Sequence, residues 1–355
     1  MKILFTGGGS WGHISPIVSV YPYLKKDDKF TEFYWIGSAD FEKKAAEDLG
    51  ITYMYMRTAK VRRYMSWKNV TDIFVLCASL FSTFKILRKI KPEVIFSSGG
   101  YVSVPVVLMG KLLHIKIVMH EQTVSLGLAN KVGTMVADKI LLSSDMSLPF
   151  IKSKLYSKVV VIGNPIREEL FKPAELVKYF NFKDSEKKLL YITGGSQGCK
   201  IINDVIFELL PKLGEHFNII HQCGKSDYEK GKEFTAKFSD FYIAKEFIGE
   251  EIAAIYQHAN IVVTRAGANT VNELAAFDIP SIFVPLEPCN NDEQRKNAEN
   301  FVKSHKGVII KQDMLNEDFL LETVQNLQNE TMVKRVIPNN NPAALEIVKQ
   351  IYLLI

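Results

Sequence analysis

Chemistry first suggests itself at glycine-rich turns that precede helices and carry polar side chains. In Ile261–Leu286, IVVTRAGANTVNELAAFDIPSIFVPL, a β-branched run meets the turn Arg265-Ala266-Gly267, and a helix follows. The unpaired N–H groups at such a helix start attract phosphate. Glu273, one turn further on, suits a ribose diol, although a helix dipole also favours an acid near this end for purely structural reasons. Near the N-terminus, Gly7-x-Gly9-x-x-Gly12 satisfies the dinucleotide fingerprint, but Trp11 is bulky for a pyrophosphate loop. The second strand ends in Gly37-Ser38, with Asp40 only beyond it, an imperfect fit to a nicotinamide enzyme. His13 follows Gly12 at the expected helix start, where the positive helix end favours the neutral imidazole a general base requires.

Further polar residues fall at expected strand ends: Gly99-Gly100-Tyr101, His120-Glu121-Gln122, and Ser196 and Gln197 within GGSQG. Gln294 and Asn297 stand one helical turn apart and can read sugar hydroxyls from a common face. Singly, each is compatible with ordinary loop chemistry. Their shared location at strand C-termini points to one ligand site.

The elements that must position these residues alternate strand and helix from Lys2 onward, which predicts a doubly wound parallel sheet. Asn164-Pro165 marks a hinge, and the pattern restarts at Leu189–Thr193. There TGGSQGCKI echoes the opening TGGGSWGHI. The expected organisation is an α/β chain with two Rossmann-like domains, 1–163 and 164–337, facing a cleft. A last helix within 338–355 is expected, by analogy, to cross back onto the first domain.

At 355 residues with 47% hydrophobic and 23% charged content, the chain reads as a globular protein of two domains. Cys77, Cys199, Cys223 and Cys289 form no CxxC pair, which argues against a zinc site and a disulfide framework and for a reducing compartment. The opening MKILFTGGG enters a strand directly, so no secretory leader is expected, and no apolar run has the length of a spanning helix. The net charge of +5 is modest, and no stacking platforms interleave the basic clusters, so nucleic acid is not an expected partner. Lys60, Arg62, Arg63 and Lys68 precede an uncharged stretch, Lys85, Arg88, Lys89 and Lys91 follow it, and between them lie Ile73, Phe74, Leu80, Phe81 and Phe84. This is either a buried helix with solvated ends or a patch for an anionic membrane surface.

The ordered run GGSWGHISP, GGYVSVP, HEQT, GNPIREE, GGSQG, RAGANTVNELAAFDIPSIFVPL and DEQRKNAE resembles the MurG family across nearly the whole chain. That family transfers N-acetylglucosamine from its UDP conjugate to lipid I, making the peptidoglycan precursor lipid II. The resemblance implies a GT-B fold, inversion at the sugar carbon and no metal or other cofactor. It also implies a peripheral location at the cytoplasmic side of the cell membrane, docked on the inner leaflet. It makes His13 the base, with Glu121 as alternative or orienting group. Arg167 falls near the uracil, Ser196 and Gln197 at the donor, Asn269 and Thr270 at the diphosphate and Glu273 at the ribose. Gln294 and Asn297 fall at the sugar hydroxyls, and Ser10, Gly12 and Thr123 also among the substrate contacts. Gly99, Gly100 and Tyr101 fall on the acceptor side, and the apolar helix matches the membrane patch. Trp11 replaces a glycine of the family's GGTGGH, Thr123 an asparagine of its HEQN, and Glu293 a residue that is often Gln or His. Rival expectations are an enzyme of the UDP-N-acetylglucosamine 2-epimerase type, a GT-B transferase with another acceptor, a catalytically idle nucleotide-sugar binder, and, from the glycine pattern alone, a dehydrogenase.

Overall fold

The computed structural model describes residues 1–58, 68–288, 292–329 and 341–355, the side chains of 68–73 and of 329 excepted. Lys60, Arg62, Arg63, Cys289 and the expected boundary at residue 337 lie outside the described residues, as do the side chains of Lys68 and Ile73. The chain forms two compact units, Met1–Arg167 with Asn341–Ile355, and Glu168–Asn340.

In the first unit the order is β1 (Lys2–Gly7), α1 (Trp11–Lys26), β2 (Glu32–Gly37), α2 (Asp40–Leu49), β3 (Thr52–Tyr55) and α3 (Lys68–Ile90). There follow β4 (Val94–Gly99), α4 (Ser103–Leu112), β5 (Lys116–Glu121), α5 (Leu128–Val136), β6 (Lys139–Leu142) and β7 (Val159–Val161). All seven strands are parallel, in the order β3-β2-β1-β4-β5-β6-β7. Helices cover both faces, so the central strands read as nearly continuous apolar runs, with Ile3–Phe5 and Val94–Phe96 fully buried. The order reverses between β1 and β4, which end in the turns at Gly7 and Gly99. Both turns therefore sit at a topological switch point, where this fold class leaves a crevice.

The second unit repeats the plan with β8 (Lys188–Thr193), α6 (Lys200–Leu213), β9 (Phe217–Gln222), α7 (Tyr228–Lys237), β10 (Tyr242–Lys245), α8 (Ile252–His258) and β11 (Ala259–Thr264). It continues with α9 (Ala268–Ala276), β12 (Ser281–Phe283), α10 (Glu293–Val302), β13 (Gly307–Ile309) and α11 (Glu317–Asn329). Its parallel sheet has the order β10-β9-β8-β11-β12-β13. The switch point lies between β8 and β11, whose ends carry GGSQG and the Arg265 turn.

The final helix, α12 (Pro342–Tyr352), packs on α1 in the first unit. Ile347 and Ile351 are fully buried in the core that contains Ile14 and Ile17, and each contributes about 1.5–3 kcal/mol by leaving water. Asn341 caps α12 by accepting from Ala344 N at 3.3 Å and clamps the chain at Ile166, whose N–H donates to Asn341 Oδ1 at 3.3 Å. This clamp explains why Arg167 closes the first unit, whereas the hinge at Asn164-Pro165 had suggested that it opens the second.

Candidate active site

GGSQG builds a tight turn between β8 and α6. Gly195 and Gly198 have positive φ (84° and 77°), and a Cβ on Gly198 would lie 2.2 Å from the carbonyl oxygen of Cys223. Gly195 N donates to Thr193 Oγ1 at 3.0 Å, and Gln222 Nε2 donates to Gly195 O at 2.9 Å, which fixes the turn. Neither α6 nor α9 has a side-chain N-cap or an acidic residue in its first turn. Both starts, with their positive dipole ends, open on one cavity of about 480 Å³. Ser196, Gln197, Thr270 and Gln294 line it, together with Lys200 and Arg265, and among the described residues no carboxylate does.

Supporting bonds hold this wall. Arg265 donates to the carbonyl oxygens of Val284 and Pro285, both at 2.9 Å, and to Gln312 Oε1 at 2.8 Å, tying the loop after β12 to the turn after β11. Gln294 Oε1 accepts from Leu286 N at 2.9 Å. Asn297 is buried and spends its amide on Ala266 O at 3.1 Å. It props the turn from behind and does not share the cavity face with Gln294. Asn269, half-buried, stands in the first turn of α9. Glu273 is buried in the next turn, away from the cavity lining, where Tyr256 Oη donates to its Oε2 at 3.2 Å. Tyr256, Gln312 and Lys200 have no sequence signal of their own; only the fold gathers them.

In the first unit, α1 begins at Trp11, so His13 lies inside the first turn. Its Nδ1 lies 2.9 Å from Ser98 O, and Ser98 Oγ donates back to His13 O. A carbonyl oxygen only accepts, so this contact favours hydrogen on Nδ1 and a lone pair on Nε2. Trp11 is exposed and its ring centroid lies 6.4 Å from that of Phe41.

The two glycine turns interlock. Gly8 N donates to Gly99 O at 3.3 Å, and a Cβ on Gly100 would meet Gly8 O at 2.0 Å. Tyr101 lies against Gly9, its Oη 3.0 Å from Ser38 Oγ. Glu42, fully buried and reading in the sequence only as a first-turn acid of α2, accepts from Gly9 N at 2.7 Å and from Ala39 N at 3.2 Å. Its carboxylate takes the N–H of Gly9, one of the donors a dinucleotide loop would offer to a pyrophosphate, which counts against the dehydrogenase expectation.

Glu121, 1% exposed, is saturated. Oε1 accepts from Thr123 N (3.0 Å) and Thr123 Oγ1 (2.9 Å), and Oε2 from Gly127 N (3.2 Å) and Asn130 Nδ2 (2.9 Å). Thr123 thereby serves the loop's own carboxylate. Gly12 leaves room for the Gln122 amide, which a Cβ there would approach to 3.0 Å, and Ser10 precedes the helix as its N-cap residue. Along α3, Phe74 (73% exposed) and Phe81 (61%) stand two turns apart on the outer face. Leu80 and Phe84 are half-buried, and Lys85 and Arg88 lie over the rings of Phe81 and Phe84. No helix among the described residues is long and apolar enough to cross a membrane.

Two parallel-sheet units, one with two uncapped helix starts opening on a cavity at its switch point, define a fold of GT-B type. The chain belongs to glycosyltransferase family 28: residues 3–142 match its N-terminal domain and residues 189–351 its C-terminal domain. It is 34% identical over 359 residues to the UDP-N-acetylglucosamine–N-acetylmuramyl-(pentapeptide) pyrophosphoryl-undecaprenol N-acetylglucosamine transferase of Clostridium botulinum, covering 98% of this chain and 99% of that one. The Clostridium perfringens protein of the same name is 38% identical over 331 residues, covering 92% and 90%. Among solved structures, Acinetobacter baumannii MurG has a TM-score of 0.72 at 23% identity, covering 99% of both chains. A Neisseria meningitidis UDP-GlcNAc 2-epimerase bound to UDP-GlcNAc reaches 0.66 at 15%, covering 99% of this chain and 100% of that one. The expected fold class and family are therefore met.

Proposed function

We propose that this chain transfers N-acetylglucosamine from UDP-N-acetylglucosamine to the 4-hydroxyl of an N-acetylmuramyl-pentapeptide carried on undecaprenyl diphosphate, with inversion and without a metal ion. The observation that carries the reading is the second-unit cavity, on which two uncapped helix starts converge with Lys200 and Arg265. A diphosphate fits amide donors and cations, and those same groups stabilise the charge that develops on departing UDP. Glu273, oriented by Tyr256, takes the ribose, and Gln294 the sugar. Arg167, the last residue of the first unit, is the residue we assign to the uracil from the family resemblance.

His13 accepts the proton of the attacking hydroxyl on Nε2, since Nδ1 is committed to Ser98 O. Glu121 shapes the loop instead, accepting from Thr123 N, Gly127 N and Asn130 Nδ2, with the Thr123 hydroxyl shared between it and Ser125 O. The outer face of α3, with Phe74 and Phe81 exposed and Lys85 and Arg88 at its end, docks on the inner leaflet where the lipid-linked acceptor resides. The test is transfer from radiolabelled UDP-N-acetylglucosamine to a short-chain acceptor analogue. Wild type turns over in EDTA, His13→Ala loses turnover, and Glu273→Ala raises donor KM. Dependence of the chemical step on Mg²⁺ or Mn²⁺, or N-acetylmannosamine formed from donor alone, would overturn the reading.

A further inference from the structure

Gln122, which the diphosphate cavity does not require, faces His13, and its role rests on the reading of His13 as base. Gln122 is 5% exposed, its backbone oxygen accepts from Asn164 Nδ2 at 2.8 Å, and its amide is aimed at the turn before α1. Nε2 of Gln122 stands 3.1 Å from His13 Nδ1, while its Oε1 is buried with no hydrogen-bond partner. Two groups thus compete for one ring nitrogen. Ser98 O, 2.9 Å away, requires Nδ1 to donate; the amide NH₂ requires it to accept. A half-turn of the amide removes the conflict, placing Oε1 against Nδ1–H so that one hydrogen is shared by two acceptors. Oxygen and nitrogen of an amide occupy nearly the same space, so this turn needs no other movement.

We infer that Gln122 is a positioning residue that joins Ser98 O in holding His13 in the Nδ1–H tautomer, the single carbonyl contact being insufficient by itself. It keeps the Nε2 lone pair available to the acceptor hydroxyl and steadies the imidazolium formed when the proton is taken. Gly12 belongs to the same device. A side chain there would crowd the amide, so the third glycine of the turn serves the approach of Gln122. Proton balance is simple: the hydroxyl proton moves to Nε2, Nδ1 keeps its own, and the pair of acceptors faces the cation.

The experiment combines ¹⁵N-histidine NMR of the intact protein with steady-state transfer, using Gln122→Leu, Gln122→Glu and His13→Asn, the last also assigning the His13 resonances. Above the imidazole titration, wild type should show the Nδ1–H tautomer. Gln122→Leu should show a mixture with the Nε2–H form and lose roughly ten- to hundredfold in kcat, the worth of one hydrogen bond to a charged group, with donor KM unchanged. Gln122→Glu, which can only accept when ionised, should restore the pure Nδ1–H signature and also serves as the variant that keeps the shape of the site. A wild-type Nε2–H tautomer, or a Gln122→Leu protein with unchanged tautomer and kcat, would overturn the inference. Full turnover in His13→Asn would instead sink the assignment of the base, while the tautomer measurement would still decide what Gln122 does.

Discussion

Replacing Glu121 by glutamine separates an organising carboxylate from a base. The charged group, 1% exposed, receives four donors, two on each oxygen. A glutamine must turn an NH₂ toward one of these pairs. The cheaper choice faces Thr123, because that hydroxyl can swing fully to Ser125 O, 2.7 Å away, and accept from the new amide. The mismatch at Thr123 N remains, and the other bonds are no longer charge-assisted. At about 1.5–3 kcal/mol for a bond to a charged group, the net loss is about 3 kcal/mol. For a unit of this size that lowers Tm by roughly 6–12 °C. His13→Asn removes the contacts of one ring nitrogen, to Ser98 O and Gln122, at a half-buried site, so its melting point should fall less than that of Glu121→Gln while kcat falls by roughly 10²–10⁴, the usual worth of a general base. Calorimetry and transfer assays on both proteins decide. A Glu121→Gln enzyme with wild-type Tm and a hundredfold lower kcat, beside an active His13→Asn enzyme, would refute the assignment.

Three further outcomes follow from the geometry. Gly198→Ala, with φ at 77° and a Cβ 2.2 Å from Cys223 O, must distort the GGSQG turn; titration calorimetry with UDP should show at least roughly tenfold weaker binding, given strain of about 1–3 kcal/mol. Burial pushes His120 down to about 4 (a bond to Gly163 O opposes this) and His221 down to about 3, so both fold neutral. The unfolded chain takes up these protons first, so stability is complete above the ordinary histidine value of 6.5 and falls as pH drops toward the folded values. Each contributes up to about 1.4 kcal/mol per pH unit in that window, and melts from pH 7.5 to 5 of His120→Asn and His221→Asn should lose a corresponding part of the slope. Phe74→Asp with Phe81→Asp should weaken sedimentation with anionic vesicles at least tenfold while leaving UDP affinity unchanged.

Much of this was legible in the sequence because parallel strands buried on both faces write themselves as β-branched runs, and the glycine turns mark their ends. The positions of Ser196, Gln197, Thr270 and Gln294 on one wall follow directly from that reading. What was not legible is which polar groups are already spent. Asn297 and Gln294 are one turn apart, yet the first is buried against the turn after β11 and donates to Ala266 O, while the second lines the cavity. Glu42 is hidden for a different reason: its partner Gly9 lies 33 positions upstream, and only pairing of β1 with β2 brings them together. Glu121 and Gln122 look equivalent in HEQT, but strand alternation and the α5 loop give one a full set of donors and leave the other facing His13.

The two echoing turns show how one local sequence serves opposite purposes. TGGGSWGHI and TGGSQGCKI both end a central strand at a switch point, and both free backbone N–H groups ahead of a helix. In the first, the protein supplies its own anion: Glu42 takes Gly9 N, Tyr101 covers Gly9, and Gly100 abuts Gly8. The turn is thereby rigid before any substrate arrives, which is what a base held to within a few tenths of an ångström needs. In the second, Thr193 and Gln222 brace the turn from beneath, no internal carboxylate lines its open side among the described residues, and the cavity remains for an external anion. Charge is thus neutralised in the turn beside His13 and left uncompensated in the turn to which the proposed function assigns the diphosphate. Moving a carboxylate into the second turn, as in Gln197→Glu, should therefore abolish UDP binding at low ionic strength without lowering Tm, and retention of wild-type affinity would contradict this division of labour.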